Sequence, residues 1–88
     1  MTFLDFISAV ITDLRTLGCD AVPDVHGDLA IWTVGPISVE IRATGENVFV
    51  HLRTTGATIA PVDFPMTLRC VREIAVSVAA ALDVPQYS

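Results

Sequence analysis

From Ile37 to Thr54, apolar and polar residues alternate through two runs that mirror each other about a central turn. Alternation of period two predicts half-buried strands. The turn, Thr44-Gly45-Glu46-Asn47, places glycine at the first central position, which a type II′ hairpin prefers. Closing there pairs Ala43 with Val48, Ile41 with Val50 and Val39 with Leu52 on one face. The other face then pairs Arg42 with Phe49, Glu40 with His51 and Ser38 with Arg53. One side is wholly apolar and the other almost wholly polar, so the sheet is expected to be covered on one side only.

Helical spacing flanks this hairpin. Phe3, Phe6, Ile7, Val10, Ile11, Leu14 and Leu17 form one stripe, predicting a helix from Phe3 to Leu17. Thr2 is its N-cap, Asp5 suits the positive end of the dipole, and Gly18 is its stop. Cys19 to Asp28 reads as a connector, with room for a short edge strand around Asp20 to Val22 and a turn at His26-Gly27-Asp28. Leu29 to Val34 is a strand whose alternation leaves its direction open. Either Leu29 and Ile31 or Ala30 and Trp32 point inward, and the other pair joins Phe49 on the open face. Ala57 to Val62 is a further strand or an extended loop. Pro65 falls in the first turn of a last helix with core positions Leu68, Val71, Ile74, Ala75, Val78 and Leu82, ended by Pro85. The other side of that helix carries Arg69, Arg72 and Glu73, then turns apolar at Val76, Ala79 and Ala80.

The expected fold is α+β: a single two-layer α-β-β-β-α domain spanning residues 1–88. A helix, a three-stranded antiparallel meander and a second helix follow one another, with both helices on one sheet face and a short extra edge strand allowed. No repeat or linker divides the chain.

Composition sharpens this picture. The chain has 88 residues, 52% of them hydrophobic, and a mean hydropathy of +0.61. So small a body hides apolar surface poorly, which points to a second copy or a partner covering some of it. Ile74 to Leu82, the longest charge-free part of the last helix, is well short of the ~20 residues of a membrane span. Met1-Thr2-Phe3-Leu4-Asp5 has no basic leader, so a cytoplasmic location is expected, with Cys19 and Cys70 as buried free thiols. A net charge of −5, with arginine as the only strong base, opposes contact with phosphate backbones. The lysine-free, Ala/Val/Thr/Asp-rich composition suits a GC-rich genome, such as an actinobacterium or one of its phages. From a phage, the partner would be a host factor.

Chemistry is sparse. Glu40, His51 and Arg53, with Ser38 and Arg42 beside them, form the best polar group, since a carboxylate can orient an imidazole. An open sheet face offers it no cleft, and a solvated face of cross-strand ion pairs is the plainer reading. Asp20, Asp24, His26 and Asp28 suggest a metal loop, yet the glycine falls too early and Gly35 occupies the place of the closing acid. Neither cysteine lies at zinc-ligand spacing from a histidine. Thr54-Thr55-Gly56-Ala57-Thr58 has the small residues of a phosphate cradle, but one glycine, no lysine and no helix directly after it. No cofactor or metal is therefore expected.

The α-β-β-β-α order resembles the double-stranded-RNA-binding domain, a family that grips phosphates with lysines at the start of its last helix. Met66-Thr67-Leu68-Arg69-Cys70 holds one basic residue there, so the likeness extends to element order and not to RNA binding. Small acidic secretion chaperones, which act as dimers, also begin with a helix and a meander. The expectation is a non-enzymatic homodimeric module that binds another, unidentified protein through Ile31 or Trp32, Phe49, Val76 and Ala80. The alternative is a small enzyme or ligand binder built on Glu40, His51 and Arg53.

Overall fold

The computed structural model describes residues 2–54, 57–58 and 61–82. Helix α1 (Phe3–Thr16) opens where the Thr2 hydroxyl accepts the Asp5 N–H at 3.1 Å, satisfying one of the free donors of a helix start. It closes at Gly18, whose φ of 85° is the left-handed conformation a C-terminal cap requires. There the Cys19 N–H reaches the Leu14 carbonyl and the Gly18 N–H the Arg15 carbonyl, the paired bonds of a Schellman motif.

Six strands follow: β1 (Asp24–His26), β2 (Leu29–Val34), β3 (Ile37–Thr44), β4 (Asn47–Thr54), β5 (Ala57–Thr58) and β6 (Val62–Pro65). Helix α2 (Leu68–Leu82) completes the described chain. All strand pairings are antiparallel, in the order β1-β2-β3-β4, and the far edge of β4 is shared by β5 and β6. The three two-residue turns joining β1 to β4 each begin with a glycine of positive φ (Gly27, Gly35 and Gly45), as type II′ geometry demands. The β3–β4 register is the one the alternation predicts, from Ala43–Val48 through Ser38–Arg53.

Between β5 and β6 the register against β4 slips by one. Arg53 faces Thr58, whereas Val50 faces Val62.

Both helices lie on one sheet face. The buried residues of α1 and α2 form one cluster with Ala30, Trp32, Ile37, Val39, Ile41 and Val48, which all project to the same side. Trp32 settles the direction of β2: it is 0% exposed, and its Nε1 donates to the Ala21 carbonyl at 3.3 Å. Leu29 and Ile31 consequently point to the outer side. Val50 and Leu52, one strand nearer the β6 edge than Val39 and Ile41, are only half-buried. The helices thus cover the β2–β3 part of the sheet more fully than its β4–β6 part.

Four expectations are corrected. Among the described residues the sheet has six strands, not a three-stranded meander with one optional edge. The first edge strand lies at Asp24–His26, not Asp20–Val22, because the Gly27-Asp28 turn pairs those residues with Leu29–Ile31. Pro65 ends β6 instead of sitting in the first turn of α2. It is tolerated there because β6 is an edge strand, where a missing N–H need not break a ladder. Leu68 is not core: it is 68% exposed. Thr55-Gly56, in the middle of the small-residue loop, and Pro85, the expected stop of α2, lie outside the described residues.

Candidate functional site

The outer sheet face carries the chemistry. Alternation sends Leu29, Ile31 and Thr33 of β2, Ser38, Glu40 and Arg42 of β3, and Phe49, His51 and Arg53 of β4 to this side. The ladder arranges them in rows across the strands. One row runs His26, Leu29, Arg42, Phe49, Asp63; the next runs Asp24, Ile31, Glu40, His51. A third holds Thr33, Ser38 and Arg53.

Glu40 and His51 are direct cross-strand partners, as the pattern predicts. The Arg53 guanidinium lies 3.8 Å from the Glu40 carboxylate, with Arg53 largely in solvent, so the pair is screened and weak. Glu40, Arg42, Phe49, His51 and Pro61 line a shallow recess of about 180 Å³. The Nε2 of His51 is shut off from solvent and has no hydrogen-bond partner among the described residues. Among the described residues no hydrogen bond links Ser38, Glu40 and His51, and no ion pair engages Arg42. Aligned acid–base catalysis needs a nucleophile and base within hydrogen-bond reach. This face presents charge of both signs on β3, between the apolar Leu29 and Ile31 of β2 and Phe49 of β4.

The five apolar candidates do not share a surface. Ile31 and Phe49 lie on the outer face, two strands apart, and Phe49 is 38% exposed. Trp32 is removed from the candidate surface by its complete burial. Val76, 47% exposed, and Ala80 lie on the helix layer, where they line a recess of about 360 Å³ with Leu17, Cys19 and Ala79. Cys19 is half-buried and Cys70 buried, both as free thiols.

A further groove had no counterpart in the sequence reading. Between α2 and the β4–β6 edge, Val50, Leu52, Val62, Phe64 and Val78 line an almost wholly apolar recess of about 140 Å³. The alternating apolar pair Val62 and Phe64 was its one signal, and the neighbouring Asp63 and Pro65 masked it as a helix entry.

Of the suspected metal loop, Asp24 and His26 are in β1 and Asp28 is in the following turn. Among the described residues, no three histidine, cysteine or acidic side chains converge on a metal position. No described helix is long and apolar enough to cross a membrane. No family model matches the chain, and no curated protein or solved structure is significantly similar to it.

Proposed function

We propose that this domain is a non-enzymatic protein–protein interaction module that works as a homodimer, with the outer sheet face as the contact between copies. One observation carries the reading. Leu29, Ile31 and Phe49 stand on the sheet face that neither helix covers, among Arg42, Arg53, Glu40 and Asp63. Apolar and aromatic groups interleaved with arginine are the composition enriched at interfaces. Strand spacing and rise give this face a plan of roughly 20 by 25 Å before side-chain relief is counted. That is comparable with the ~800 Å² of accessible surface each partner contributes to an ordinary interface. A dimer joined this way keeps both helix layers on its outside, where a second protein would be met.

Sedimentation velocity over a concentration series tests the reading. The wild-type chain is expected to be dimeric at micromolar concentration. Phe49→Ala should weaken the dimer by about tenfold or more, as loss of an aromatic anchor does, while leaving the melting temperature of the dilute, dissociated chain nearly unchanged. A wild-type monomer at high micromolar concentration would end it.

The solitary His51 Nε2 favours a second reading, in which the recess beside Glu40 and Arg42 binds a small ligand. On that reading His51→Ala abolishes ligand binding and hardly changes stability.

A further inference from the structure

We propose that the second copy docks about a two-fold axis running across the strands, midway between the Arg42 row and the Glu40 row. This deepens the homodimer reading above and rests on it. The partner's strands then run antiparallel to those they cover, and each residue of one row faces its neighbour two positions along the same strand of the second copy.

The two opposite charges of β3 are the ground for this axis. It sets Arg42 against Glu40 of the second copy, and Glu40 against the second copy's Arg42, so two ion pairs form at the centre of the contact. On β4 it stacks Phe49 on the second copy's His51, and on β2 it places Leu29 against Ile31. On β1 it brings His26 to the second copy's Asp24. Opposite charges meet, Leu29 meets Ile31, the two rings of Phe49 and His51 stack, and no like charges face each other. Two axes that pass through β3 fail on charge. An axis along β3 lays Arg42 on its own copy, and one along the Glu40 row lays both Glu40 and Asp24 on theirs. Like-charge juxtaposition at an interface costs several kcal/mol.

The spacing is suitable as well. Packed sheets stand about 10 Å apart, which Arg and Glu side chains span jointly. Twist makes aligned sheets cross at about 30°, so the correspondence holds best at the centre, where Arg42, Glu40, Phe49 and His51 lie. Arg42 is exposed and free of any ion pair among the described residues, so it is available to a partner.

The test is a pair of opposite charge reversals. Arg42→Glu alone sets acid against acid at both central pairs, and Glu40→Arg alone sets base against base. Each is expected to raise the dimer dissociation constant by about tenfold or more. Mixing the two variants restores both ion pairs, so the mixture should sediment as a heterodimer. A wild-type monomer overturns the homodimer reading and the axis with it. A wild-type dimer whose reversals each leave it intact, or whose mixed variants stay monomeric, overturns the axis alone. Should Glu40→Arg fail to fold, Glu40→Gln replaces it. That variant should weaken the dimer, and adding Arg42→Gln in the same chain should weaken it no further. Additive losses would count against a direct pairing.

Discussion

The indole Nε1 of Trp32 donates to the Ala21 carbonyl at 3.3 Å, tying the centre of β2 to the connector that follows α1. The ring is fully buried, and this bond satisfies both its N–H and a carbonyl that no strand engages. Trp32→Phe keeps most of the apolar contact and strands the carbonyl, so a loss of about 1–3 kcal/mol is expected. Trp32→Ala opens a cavity as well and should cost about 3–5 kcal/mol. Urea unfolding followed by circular dichroism measures both. Equal losses for the two variants would show that the hydrogen bond, not the packing, dominates.

At Gly45 the backbone, and not the surroundings, restricts substitution. Its φ is 68°, yet a Cβ added there meets nothing within 4 Å. Gly45→Ala should therefore destabilise by about 1–2 kcal/mol through left-handed strain alone. Gly45→Asn should lose less, since asparagine tolerates that region better. If the two lose the same amount, the turn is not held in this conformation in solution.

Leu68 and Ile74 share a helical stripe in the sequence but not an environment in the fold. Ile74 is fully buried and Leu68 largely exposed. Leu68 is the first residue of α2, and helical side chains lean towards the N-terminus, so its side chain projects beyond the turn it starts. Ile74→Ala is expected to cost about 2–5 kcal/mol and Leu68→Gln less than about 0.5 kcal/mol, by thermal or urea denaturation. A large loss at Leu68 would mean that its exposed face is covered in solution, and sedimentation of the same variant would show by what.

The same contrast marks how far the pattern reaches. The β3–β4 pairing was readable because Val39, Ile41, Val50 and Leu52 alternate with polar residues against a glycine-led turn, and a one-residue slip would invert both faces. Strand β1 was not, because Asp24, Val25 and His26 are all exposed and leave no burial periodicity to detect. Strand β6 combines Asp63 and Pro65, residues depleted in strands, and takes its place only by pairing with β4. The direction of β2 turned on Trp32, where large apolar groups occupy both alternating sets and tertiary packing decides. Of the candidate site, Glu40 opposite His51 was legible from register alone. The separation of Phe49 from Val76 was not, since it depends on which layer covers which.

His51 offers a test in which stability and recognition move in different directions. Its Nε2 is inaccessible to solvent and unpartnered among the described residues, and such a group carries a desolvation cost of about 1–3 kcal/mol that an apolar side chain would not incur. Phenylalanine occupies a similar shape and suits a strand, so His51→Phe should leave stability unchanged or raise it by about 1–2 kcal/mol. A fall of more than about 1 kcal/mol would mean that Nε2 is bonded in solution after all. Self-association gives the second readout. Across the proposed two-fold, His51 meets the second copy's Phe49, and an aromatic pair retains that contact. The dimer should therefore survive His51→Phe and weaken with His51→Asp, which places a carboxylate against the ring face. Loss of the dimer in both variants would mean that the imidazole itself makes the contact, and Phe49 would no longer be its partner.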